Sequence, residues 1–196
     1  MTNVHANPAP IEAPILDVLA ERWSTRVFDA AAELDEAAIE SALEAARWTP
    51  SANNTQPWRF IVARRGTPEF ESVHNALRGF NQEWAASASA LLVFVAETET
   101  ADGTPLRMAT YDLGQAAAHF TVQAHANVLH THQMGGFDAA AVSAAFDLDA
   151  RFAPLTVMAV GSLGDIEQVS DELRQRELAP RTRRSVEHLI LVGASS

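Results

Sequence analysis

The chain has no cysteine among its 196 residues. That one absence removes disulfides, thiolate nucleophiles, cysteine-ligated zinc and iron–sulfur clusters together. Lysine is missing too, because all 14 basic side chains are arginine. Without it there is no pyridoxal Schiff base and no lysine of a phosphate-binding P-loop. Positive charge is scarce: the formal net charge is −11, which disfavours nonspecific binding to nucleic acid. No run of about 18 uninterrupted apolar residues occurs, so no membrane span is expected. No GxGxxG supports a dinucleotide-binding Rossmann unit, and "GSLG" at Gly161–Gly164 has the wrong order for a hydrolase nucleophile turn.

What is present reads as one globular unit. Apolar residues make up 47% and charged residues 20% of the chain, near globular averages. A chain of this length buries roughly 70% of its unfolded surface and needs no covalent staple. The start, "MTNVHANPAP", lacks the basic and apolar regions of a secretory signal. Residues 1–13 are therefore expected to be a flexible leader, residues 14–196 a single domain, and the protein cytoplasmic.

Hydrophobic periodicity places the elements. A short helix is expected after Pro14, where Ile15, Leu16 and Leu19 share a face. A second opens at Asp35 and sets Ile39, Leu43 and Ala46 on one stripe, ending before Pro50. "PWRFIVAR", "SALLVFVAE" and "LTVMAVGSL" read as strands, the last two so continuously apolar that helices must cover both sheet faces. The longest helical pattern runs from about Met108 to His130 and has little polar circumference. Paired glycines stop it, a helix restarts at Asp138, and "VEHLILVGASS" reads as a terminal strand that must pair with its own or a neighbour's sheet edge.

The polar residues are unusual in kind. "TPSANNTQP" carries Ser51, Asn53, Asn54, Thr55 and Gln56 between two apolar elements, more hydrogen-bonding capacity than a turn requires. Arg22 and Arg26 bracket Ser24, and Arg174, Arg176, Arg181, Arg183 and Arg184 crowd the other end of the chain. Arg174 and Arg176 suit a solvated helix face; the others fit either surface ion pairs or a bound phosphate or carboxylate. Histidines such as His130 and His132 lack a completing ligand set, so no metal site is expected. None of these groups is a strong nucleophile, acid or base. Amides and arginines could instead hold a flat, phosphorylated cofactor that carries the chemistry.

The ordered motifs "RWSTRVF", "ALEAARWTPSANNTQPWRFIV", "FNQEWAASASALLVFVA", "DLGQAAAHFTVQAHANVL", "HQMGGFD" and "RTRRSVEHLIL" resemble those of the FMN-dependent nitroreductase-like flavoproteins, from about Pro14 to the tail. The resemblance implies an α+β fold with a mostly antiparallel central sheet flanked by helices. It also implies an intertwined homodimer with C-terminal strand exchange and FMN at the subunit interface. By that likeness Arg22, Ser24, Arg181 and Arg183 would hold the phosphate, with Trp23 between the first two. Arg26 and Asn81 would meet the pyrimidine edge, and Gln133, Met134, Gly135 and Gly136 would line the approach to the reactive nitrogen. Ser51 and Asn54 would cover the ring from the other subunit. His132 and Gln133 replace a more apolar approach and would be possible substrate contacts. The chain is short between Glu97 and Met108, where larger relatives insert helices over the substrate channel.

The implied activity is an NAD(P)H-dependent FMN oxidoreductase with a small acceptor such as a nitroaromatic or quinone, working in ping-pong fashion. FMN storage or sensing, a flavin-dependent dehydrogenase or dehalogenase, and a helical dimerisation module are the alternatives.

Overall fold

The computed structural model of the chain describes residues 5–193; residues 1–4 of the expected leader and 194–196 of the tail lie outside the described residues. Four strands, β1 (Trp58–Arg64), β2 (Ala90–Glu97), β3 (His130–Met134) and β4 (Phe152–Gly161), form an antiparallel sheet in the order β1-β2-β4-β3. Every residue of β2 is buried, as a central strand covered on both faces requires. Alternate side chains divide between two cores. Leu92 and Phe94 join one with Ile39, Leu113 and Phe120; Leu91 and Val93 join the other with Phe70, Val73, Trp84 and Val142.

The helices follow from their caps. Asp35 accepts a hydrogen bond from the Ala38 amide and starts the helix Glu36–Arg47 (α2), which follows the short Asp17–Glu21 (α1). Thr67 caps Pro68–Ala76 (α3), with proline at the first position. Asn81–Ala85 (α4) comes next, and then Ala109–Ala126 (α5), whose alanines let α2 pack closely beside it over the first core. Asp138 caps Ala139–Ala145 (α6), and Ser170 caps Asp171–Glu177 (α7). The α+β architecture and the helices on both faces agree with the sequence reading.

One expectation fails for a physical reason, and the expected terminal strand finds no partner within the single chain. The long helix stops at Ala126, because Val128 turns into the left-handed region at φ 63 and Leu129 N–H closes back on Ala124 O at 2.8 Å. The next residues, "HTHQM", form β3 instead. The tail is not a strand in the single chain: Val186–Leu189 make a 3₁₀ turn, and Leu191 and Val192 are 97% and 95% exposed. A strand without a partner has no ladder to join.

The segment bearing the first arginines is fastened at both ends. Ser24 bridges Thr131 of β3 in parallel and Phe28 bridges Leu163 antiparallel. Gly164 N–H donates to Val27 O at 3.0 Å, and a Cβ at Gly164 would lie 2.7 Å from the backbone of Phe28. Gly164→Ala is therefore expected to destabilise the fold by about 1 to 3 kcal/mol through this clash, read as a lower urea midpoint. An unchanged midpoint would show that the two segments separate without cost.

Candidate functional site

The two ends of the chain meet in a cleft of about 180 Å³ lined by Arg22, Ser24 and Arg26 from one end and Arg181 and Arg183 from the other. Among the described residues no carboxylate forms an ion pair with any of these arginines. Arg22 Nε is buried without a hydrogen-bond partner, and one of its terminal nitrogens reaches Ser24 Oγ at 3.5 Å. Burial lowers the Arg22 pKa, and the positive charges of Arg181 and Arg183 lower it further. Arg181 is lowered by burial and by Arg183 in the same way. Like charges gathered this closely, with an unsatisfied donor between them, are complementary to a multiply charged anion.

Backbone contacts fix the cleft's shape. Arg181 Nη1 donates to Asn7 O at 2.8 Å and to Ala20 O at 3.1 Å, so the described part of the leader forms one wall. Arg183 is exposed and donates to its own neighbour's carbonyl, Thr182 O, at 2.8 Å. Ser24 and Thr25 are held from beneath by β3: His132 Nδ1–H is shared between Ser24 O at 3.0 Å and Thr25 O at 2.9 Å. The tautomer follows from the two acceptors.

Arg26 also lines a second, larger concavity of about 450 Å³ that continues along Phe80, Glu83 and Trp84. Burial and Arg176 lower its pKa, against the opposing pull of Glu177. Asn81, at the start of α4, donates from Nδ2 to Gly136 O at 3.4 Å, and a Cβ at Gly136 would lie 3.0 Å from that nitrogen. The diglycine and Asn81 are thus brought together. Gly135 is exposed with open space where a Cβ would stand, whereas Met134 is buried and its carbonyl accepts from Thr156.

Of the remaining candidates, Ser51 and Asn54 are expected to act from the other subunit, and His132 departs from its expected role. Ser51 and Asn54 do not line the arginine cleft of their own chain; their loop borders a separate concavity with Pro105, Leu106 and Met108. Asn53, Asn54 and Gln56 hold φ of 52, 57 and 48 without a glycine among them, a concentration of strain of the kind found where a loop has a ligand or partner to meet. His132 and Gln133 point to opposite faces of β3. Gln133 is exposed and touches Thr121, while His132 is buried against Trp84 with ring centroids 4.6 Å apart. His132 is an anchor for the Ser24–Thr25 backbone and not a free substrate contact.

A model of the nitroreductase family matches residues 19–69. An FMN-containing oxidoreductase of known crystal structure superposes with a TM-score of 0.88 and 30% identity, covering 100% of this chain and 99% of that one. An uncharacterised 15.4 kDa protein of Mycolicibacterium smegmatis is 34% identical over 143 residues, 69% of this chain and 95% of that protein. An oxygen-insensitive NADPH nitroreductase of Helicobacter pylori (strain J99) is 39% identical over 77 residues, 39% of this chain and 35% of that enzyme.

Burial lowers the pKa of His130 and of His132 from 6.5 to about 4; His125 and His5 add to the effect at His130, and Arg26 adds to it at His132. Both are neutral when folded, and unfolding lets them take up protons below pH 6.5. Stability is therefore full above about pH 6.5 and falls as pH drops toward about 4, by up to about 3 kcal/mol per imidazole. The urea midpoint should fall between pH 7 and pH 5. His132→Asn keeps an amide donor but does not titrate, and should make that fall shallower; an equally steep fall would assign the titration to other groups.

Proposed function

The chain belongs to the nitroreductase family, and from that premise we propose that it is an FMN oxidoreductase passing electrons from NAD(P)H to a small acceptor such as a nitroaromatic or quinone. Donor and acceptor occupy the same site in turn. FMN is the cofactor, and when bound it supplies hydride acceptance and release. The observation that carries this reading is the arginine cleft, where the guanidinium groups of Arg22, Arg26, Arg181 and Arg183 converge and none of the four forms an ion pair with a carboxylate among the described residues.

The residues present suit that cofactor. Arg22, Ser24, Arg181 and Arg183 hold the phosphate, and the unpartnered Arg22 Nε receives an acceptor. Trp23 is buried beside Ser24, Arg26 brings positive charge to the pyrimidine edge, and Asn81 supplies an amide there. Gly135 and Gly136, next to Gln133 and Met134, let a planar ring approach the backbone without a side chain in the way. No side chain serves as nucleophile, and water supplies protons.

The working unit in this reading is an intertwined homodimer. Its tail adds a strand to the partner's sheet, and the Ser51–Asn54 loop covers the ring in the partner's cleft. Support comes from the bare apolar tail, from Tyr111 and Leu16 at 62% and 69% exposed, and from the strained loop that faces nothing in its own cleft. A monomer seldom leaves such surface uncovered. No helix among the described residues is long and apolar enough to cross a membrane.

The freshly purified protein is expected to be yellow, with flavin absorbance that bleaches on adding NADH or NADPH anaerobically and returns with an acceptor. Arg22→Ala and Arg183→Ala should each weaken FMN binding by about 1.5 to 3 kcal/mol through loss of a charge-assisted hydrogen bond, measured by fluorescence titration. A colourless protein that takes up no added FMN, or two arginine variants with unchanged affinity, would refute the assignment.

A further inference from the structure

One acidic residue lines the arginine cleft, and it sits where a negative charge is least welcome to an anion. Glu177, the last residue of α7, is 3% exposed. Its Oε1 accepts from Trp23 Nε1 at 2.6 Å and from His5 Nε2 at 3.0 Å, and its Oε2 accepts from the Arg26 amide at 2.9 Å. Its backbone carbonyl accepts from Asn7 Nδ2 at 3.2 Å, and the Asn7 carbonyl in turn accepts from Arg181. Burial alone would raise the Glu177 pKa, but Thr25, Trp23, the Arg26 amide and His5 together hold it below the ordinary carboxylate value.

A single buried carboxylate thus joins the leader and the Arg22–Arg26 segment to the approach to Arg181, more than 150 positions away in sequence. Both of its oxygens are consumed by these donors, so its role is geometric, while its charge opposes the ligand. We propose that Glu177 is the positioning residue of the cleft, acting through Trp23, Arg26 and the leader to aim Arg22 and Arg181 at the phosphate of FMN. This rests on the assignment of the cleft to the FMN phosphate.

The two effects of Glu177 have opposite signs, which makes the idea testable. Glu177→Gln removes the repulsion, and on charge alone FMN would bind more tightly. The amide also turns an N–H donor toward donors that had an acceptor, and if position dominates, FMN binds more weakly. Wild type, Glu177→Gln and His5→Ala would be titrated with FMN and with riboflavin, which lacks the phosphate, following flavin fluorescence. Glu177→Gln should raise the FMN Kd at least about tenfold and the riboflavin Kd, which senses only the Arg26 end of the cleft, by a several-fold smaller factor. His5→Ala, which keeps the carboxylate and the Trp23 bond, should show a smaller loss confined to FMN, and it carries the test if Glu177→Gln fails to fold by circular dichroism. Unchanged or tighter FMN binding overturns the proposal, and so does an equal loss for both flavins, which would mean that Glu177 supports the fold at large. A wild type that binds neither flavin defeats the cofactor assignment itself, and this inference with it; a wild type that binds both beside unaffected variants defeats this inference alone.

Discussion

Guanidinium groups packed around one small cleft repel one another, and everything else about this site is an answer to that repulsion. The protein carries a surplus of acid, yet among the described residues none of it forms an ion pair with Arg22, Arg181 or Arg183. Backbone bridges and two buried side chains, His132 and Glu177, do the restraining. β3 bonds to Ser24, His132 holds the Ser24 and Thr25 carbonyls, and Gly164 holds Val27. A site built in this way is organised before its ligand arrives, so less ordering has to occur on binding.

Much of the architecture was legible because its signals are local and repeated. The unbroken apolar runs of β2 and β4 announced strands covered on both faces, and Asp35 and Asp138 announced helix starts. β3 was hidden because its alternation is written in histidine, threonine and glutamine, residues whose burial depends on hydrogen bonds made across the chain. The break after Ala126 was hidden as well: Val128 is β-branched and gives no hint of a left-handed turn. Tertiary context decided both cases.

The site was legible in part. Arginines at both ends suggested an anion, and the fold does bring Arg22, Ser24, Arg26, Arg181 and Arg183 to one cleft. Asn81 and Gly136 proved to be neighbours. Sequence reasoning overlooked Glu177, which looked like one more charge on a solvated helix within "RQREL" and turned out to be among the most buried acids of the chain. Its partners lie more than 150 positions away in sequence, His5 172 positions off and Arg26 151, and no local pattern can reveal such a bond. His132 was read as a contact for a ligand because it stands beside the diglycine; the pleat turned it inward.

The cleft draws on residues near position 22 and near position 181, so a nascent chain has only half of it until Arg183 has been added. A prematurely terminated product would emerge with its first arginines exposed and no means of capturing the anion. Retention of the ligand would then mark a polypeptide that carries both arginine clusters, and any stabilisation it brings by mass action would reach such molecules alone.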